Sequence, residues 1–248
     1  FIYILVIKIK KMLNKFFKTI HIKYYSFFRF IFFLRYLFLI FLASISLFLI
    51  IPNFFNFEKR AEIIKKNLLN DYNLEIVRFE KIEFKSLPLP SLVIENVIID
   101  FGGSARSKTK KLIIYPDFVS IYNDKKFQTK KIIFNNIEMS LRFSELSLFF
   151  RKLLDQKNKI FLKNLNIEIK DKEKLIFNLN NIKFANYGYN KDLINGSVFD
   201  KKFKIVIKNN AKILKFKLLN TGINADINFE TTENTDTIKG IFKSKILN

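Results

Sequence analysis

Cysteine and tryptophan are absent from the 248 residues, histidine occurs once, proline four times and glycine six times. Without cysteine, neither a disulfide nor a thiolate metal site can staple the chain, so its stability must rest on apolar burial and strand pairing. His21, the sole imidazole, lies between Ile20 and Ile22, so no Ser-His-Asp set and no histidine metal cluster can be assembled. The one glycine pair, Gly102-Gly103, lacks the Lys-Thr and the helix start that a phosphate cradle needs. Carboxylate pairs such as Glu80 with Glu83, or Asp171 with Glu173, fall on alternating runs, where such groups are solvated far more often than catalytic. These absences lead to the expectation of a protein that is not an enzyme and takes no cofactor or metal. Acidic residues are also missing from the whole segment before Glu58.

What fills that segment is apolar. From Phe30 to Ile51 there is one charge, Arg35, and between Tyr36 and Ile51 stand twelve Leu, Ile or Phe. At about 1.5 Å per helical residue the run spans ~33 Å, close to the roughly 30 Å of a bilayer's hydrocarbon core. Each large aliphatic or aromatic residue favours insertion by about 0.3 to 0.6 kcal/mol, against at most about 3 for an Arg that lies near one end and can snorkel. A membrane-spanning helix over 30–51 is therefore expected. A cleaved signal peptide fits less well, because the run continues to Ile51 with no small-x-small site before Pro52 and Asn53. Residues 1–11 read as lying upstream of a start at Met12, and residues 1–29 as a basic tail.

Lys8, Lys10, Lys11, Lys15, Lys18, Lys23, Arg29 and Arg35 precede or enter the span, while Lys59, Arg60, Lys65 and Lys66 follow it. Basic excess marks the cytoplasmic side, which makes the tail cytoplasmic and the bulk of the chain exported. The net charge of +22 raises a nucleic-acid reading. Against it, the lysines are scattered singly along strand-like runs, and no RNP, helix-turn-helix or zinc-finger pattern is present. No nucleic-acid partner is expected.

After the span, Asn56 can cap a helix through Asn70, with Ala61, Ile64, Leu68 and Leu69 at helical spacing, giving a juxtamembrane segment 52–70. From Tyr72 the apolar period becomes two, and strands with one wet face are expected across 71–248. Their runs include Ile82–Phe84, Leu92–Phe101, Lys110–Tyr115, Phe118–Tyr122, Phe127–Phe134, Ile160–Ile169, Leu175–Phe184, Lys202–Lys208 and Ile213–Leu219. One interruption is helical: Ser144 can cap Glu145–Leu154, with Leu146, Phe149, Phe150, Leu153 and Leu154 on one stripe.

A four-residue pattern, apolar-x-Asn-apolar, recurs as Ile94-Glu95-Asn96-Val97, Phe134-Asn135-Asn136-Ile137, Leu162-Lys163-Asn164-Leu165 and Leu179-Asn180-Asn181-Ile182. The apolar residues flanking Asn are three apart and cannot share a strand face. An Asn there suits a bulge or tight turn, since Asn tolerates left-handed backbone; chance recurrence in an Asn-rich chain is the competing explanation.

The order of elements from the span through Asp71-Tyr72-Asn73-Leu74-Glu75-Ile76 and Leu87-Pro88-Leu89-Pro90-Ser91-Leu92-Val93-Ile94-Glu95-Asn96-Val97 resembles the amino-terminal region of the AsmA family of bacterial inner-membrane proteins. The runs Lys111–Ile121 and Lys131–Leu141 are similar to that family's paired strands, so the likeness covers residues 30 to 145. The resemblance implies a bacterial inner-membrane anchor and an elongated, periplasmic, antiparallel sheet curved into an apolar groove. It implies that the groove shields phospholipid for transport or outer-membrane biogenesis, with envelope-assembly proteins as partners.

Strand alternation places Leu165, Ile167, Ile169, Phe177, Leu179, Ile205 and Ile207 on one apolar face, the candidate groove lining. A closed β-sandwich core fits the same alternation, and a scaffold or chaperone for outer-membrane protein assembly that carries no lipid is the alternative function. The strand-like ending at 241–248 leaves room for a longer groove.

Overall fold

The computed structural model describes residues 2–101, 106–123, 126–186, 191–208, 213–232 and 235–244, so the Gly102–Ala105 loop and residues 245–248 lie outside the described residues. The chain divides into two compact units, Phe1–Ile51 and Pro52–Asn248.

The first unit is helical. Helix α1 spans Ile2–Lys23 and α2 spans Tyr25–Ile50. The tail is therefore regular helix, and the apolar helix begins five residues before the Phe30 boundary read from the charge pattern. The stretch Tyr25–Phe54, whose most apolar 18 residues have mean hydropathy 2.4 and are unburied, is long and apolar enough to cross a membrane. Ser44 and Ser46 turn their hydroxyls back to the carbonyls of Ile40 and Leu42, both at 2.8 Å, which hides two polar groups on an otherwise apolar surface.

The second unit is one sheet with two helices. Helix α3 is Ala61–Tyr72, and twelve strands follow among the described residues: β1 (Glu75–Arg78), β2 (Lys81–Lys85), β3 (Ser91–Asp100), β4 (Arg106–Pro116), β5 (Thr129–Arg142), then helix α4 (Phe143–Leu154), β6 (Lys159–Asp171), β7 (Lys174–Asn186), β8 (Lys191–Val198), β9 (Lys201–Lys208), β10 (Ile213–Leu218), β11 (Asn224–Thr232) and β12 (Thr235–Lys243). Strands β3 to β12 pair in chain order; β1 and β2 share the outer edge of β3. The sheet is curved but open, which removes the closed-sandwich alternative.

It is not wholly antiparallel. Strands β5 and β6 run parallel, Ile132 opposite Ile160 and Leu141 opposite Ile169. A parallel neighbour requires a crossover that returns the chain to the same end, and α4 is that crossover. Two further expectations change locally. Tyr72 closes α3 instead of opening a strand, because Asn73 adopts φ 52° and caps the helix, with the Asn73 and Leu74 amides donating to the carbonyls of Leu69 and Leu68. Residues 118–122 form a turn and a short 3-10 segment instead of a strand, held by Asp117, whose carboxylate accepts the Val119 amide at 3.1 Å.

The helices begin slightly away from the expected caps. Asn56 accepts the Lys59 amide at 3.2 Å but caps a turn ahead of α3, which starts at Ala61. In α4 the carboxylate of Glu145 reaches back to the Arg142 amide at 2.9 Å, so the capping pair begins two residues before Ser144. The Arg142 side-chain hydrogen bond holds the Glu145 carboxyl below the usual range.

All four Asn of the recurrent pattern have positive φ: Asn96 48°, Asn136 55°, Asn164 57° and Asn181 52°. The first three align in register. Glu95 and Val97 pair with Lys111 and Thr109, these with Asn135 and Ile137, and these with Lys163 and Leu165, so the skipped residues stack strand on strand. Asn164 donates to the Asn136 side chain at 3.2 Å across the seam. The left-handed residue sends two consecutive side chains to the same side and restores the apolar residues to the other. Without it, every apolar residue beyond the seam would reach the wrong face.

Candidate functional site

The sheet has one continuous apolar face, defined by Leu92, Ile94, Val97 and Ile99 on β3, Leu162, Leu165, Ile167 and Ile169 on β6, and Phe203, Ile205 and Ile207 on β9. Over β1 to β6 this face is sealed. Helix α3 buries Ala61, Ile64, Leu68 and Tyr72 in the core, and α4 buries Phe149 and Leu153. The Phe149 ring meets Phe101 edge-on at 5.4 Å, and Phe101 in turn packs on Phe134 at 5.8 Å. Polar ties lock the helices to the strands: Thr129 donates to Asn67 at 2.6 Å, and Gln156 and Asn158 donate to the carbonyls of Tyr72 and Asp71, each at 2.6 Å. Buried Asn186 satisfies its amide completely, donating to the carbonyls of Gln156 and Asn158 and accepting from the Ile160 amide. Tyr72 is different. Its hydroxyl is buried with no hydrogen-bond partner among the described residues, and burial pushes its pKa up.

From β7 onward no described helix covers the face. Register carries it across: Ile167 opposes Leu179, Ile169 opposes Phe177, Leu179 opposes Val198, Ile205 opposes both Ile194 and Phe216, and Phe203 opposes Leu218. Phe177, Leu179, Val198, Ile205, Leu214, Phe216 and Leu218 are only half-buried, and Phe242 at the far edge is 66 % exposed. Gly196 belongs to this face for a steric reason. A Cβ there would stand 2.8 Å from the Phe203 ring and 3.1 Å from Ile182, so only glycine lets Phe203 lie across β8.

The seven residues read from alternation thus lie on one face, in two settings. Leu165, Ile167 and Ile169 are completely buried and Ile207 nearly so, whereas Phe177, Leu179 and Ile205 stand half-open. Val198, Leu214, Phe216 and Leu218 extend the open part and were missed. Their strands are legible as alternating runs, but the partner that decides which side is inward lies one strand further on.

Among described residues, the open part between β7 and β10 holds one carboxylate, Asp192, which opposes Ile207; burial raises its pKa. No three of His, Cys, Asp and Glu converge among the described residues. Taken together, these features define a class: an open sheet with a one-sided apolar face, sealed by helices at one end and bare at the other, in a chain that also carries a helix able to cross a membrane. Comparison with family models, curated proteins and solved structures finds no match for this chain.

Proposed function

We propose that this chain is a membrane-anchored lipid-handling protein of the AsmA type, with α2 in the bacterial inner membrane, the N-terminus cytoplasmic and the sheet in the periplasm. The uncovered apolar face of β7 to β11 acts as a groove that shields acyl chains for phospholipid transport and outer-membrane biogenesis. The observation that carries this reading is the run of half-exposed apolar residues in register over four strands, with a single carboxylate among them. Each CH₂ withdrawn from water onto such a face is worth about 0.8 kcal/mol.

The test is site-specific photo-crosslinking in the intact, membrane-inserted chain, with the crosslinker at Phe216 and, as control, at the exposed Glu168 on the opposite side of the sheet. Lipid adducts at Phe216 and none at Glu168 are expected. Protein adducts without lipid at Phe216 would instead favour the scaffold reading. For topology, a reporter fused after Asn248 is expected to be active only on the exported side.

A further inference from the structure

The side of the sheet opposite the apolar face carries a pattern of its own. One transverse row holds Lys111, Lys163, Lys183, Lys204, Lys217 and Lys243, on β4, β6, β7, β9, β10 and β12, in register from Lys111 to Lys163 and from Lys183 to Lys243, with Lys163 and Lys183 lining one depression where the β6–β7 register shifts. Asn135, Asn195 and Asn224 occupy the same row on the strands between. With neighbouring strands about 4.8 Å apart, eight steps make a track of ~38 Å. Lys111 is partly neutralised by Glu95 at 3.7 Å, but Lys163, Lys183, Lys204 and Lys217 have no ion pair among the described residues. Where the bulge seam meets this row, Lys110, Lys111, Lys163 and Lys183 join three Asn side chains around a depression of about 620 Å³.

The row is not alone. Two residues along each strand lies a partly exposed apolar stripe on the same side, with Ile113, Phe161, Ala185, Leu193 and Val206. Beyond the stripe a second set of lysines begins: Lys131 beside Lys159, and Lys191 beside Lys208. Lys131 folds over the Tyr115 ring at 4.2 Å, keeping its stem on apolar surface and its ammonium at the rim. Like charges directly opposite on paired strands are destabilising, yet the sheet accepts Lys131–Lys159, Lys191–Lys208 and Lys204–Lys217. An external anion turns each of those repulsions into an attraction.

We infer that this lysine-rimmed apolar stripe binds the surface of an anionic phospholipid bilayer. A linear polyanion would satisfy the lysines but has no use for Phe161, Leu193 and Val206. A bilayer interface offers phosphates and, a few ångströms deeper, acyl chains. Flexible ammonium groups also suit mobile headgroups, whereas fixed bidentate recognition calls for arginine. This site is on the other side of the sheet from the proposed groove, and it stands whether or not that groove carries lipid.

The absence of native cysteine makes the test direct. The full chain is reconstituted in phosphatidylcholine nanodiscs, with an environment-sensitive fluorophore on Ala185→Cys in the stripe or on Glu168→Cys away from it. Phosphatidylglycerol is then supplied either within the nanodisc or as added vesicles. The Ala185 label is expected to shift to the blue with phosphatidylglycerol in at least one arm, and the Glu168 label not to. High salt is expected to abolish the shift. The combined variant Lys163→Gln, Lys183→Gln, Lys204→Gln, Lys217→Gln, shown by its melt to be folded, should weaken it about tenfold or more. No shift in either arm, a shift that survives loss of the four lysines, or a shift with polyphosphate but not with phosphatidylglycerol would each overturn the inference.

Discussion

Leu165 and Ile205 lie on the same face of the same sheet, three strands apart, yet one is fully buried and the other half-open. The strands that carry them are alike in alternation; what differs is the layer above. Over β1 to β6 the apolar face has α3 and α4 as a second layer, and the result is a close-packed two-layer core. Over β7 to β11 the same face has no described partner. Ile182, Phe184, Ile194, Phe203 and Ile207 are buried there all the same, but Phe177, Leu179, Val198, Ile205, Leu214, Phe216 and Leu218 stand half-open, so this half is free to receive something apolar. The comparison shows that the half-open residues lie where no described helix covers the face, although their strands alternate as regularly as the covered ones.

The sharpest way to break the comparison is to place the same charge in each half. Ile167→Asp buries an unpaired carboxylate at a fully buried position of β6 and should cost several kcal/mol, a large part of a typical domain's total of about 5 to 15. Loss of the cooperative thermal transition is the expected result. The matching change in the open half, Phe216→Asp, leaves the carboxylate reaching water and should cost about 1 kcal/mol, while abolishing lipid adducts at neighbouring positions. A Phe216→Asp variant that melts as poorly as Ile167→Asp would mean that the two halves are equally sealed.

Removing the lid's anchor is the next largest effect. Phe149→Ala empties the contact with Phe101 and should cost about 3 to 5 kcal/mol by denaturant unfolding. Tyr72→Phe should act in the other direction. Deleting a buried hydroxyl that has no partner should raise stability by about 1 kcal/mol, seen as a higher melting temperature.

The smallest effect is on pH. Burial raises the Asp192 carboxyl above its unfolded value, so the folded state holds that proton more tightly. Its favourable contribution is fully present below the ordinary carboxylate range, near pH 3.9, and is lost as pH rises through the raised folded value. Asp192→Asn should flatten that slope and leave the protein slightly more stable at neutral pH, as read from melts across mildly acidic to neutral buffers.

Much of this was legible along the chain. The apolar helix, the β-rich remainder and the α4 stripe follow from local periodicity, because a helix or a half-buried strand writes its spacing directly into neighbouring residues. The four Asn could be read as breaks in alternation for the same reason. Tyr72 and the 118–122 segment were misread because a left-handed cap and an Asx turn override two or three alternating residues.

By itself, then, the amino-acid order determined where the chain can cross a membrane, which side chains alternate, and where each strand must change phase. Those are properties of a residue and its near neighbours. Only the tertiary structure decided that β5 and β6 run parallel, that the bulges at Asn96, Asn136 and Asn164 stack into one seam, that lysines distant in the chain form one row, and that Ile167 is sealed while Phe216 stands open. Each depends on which strand or helix lies alongside, and that choice is made by packing between segments far apart in the chain.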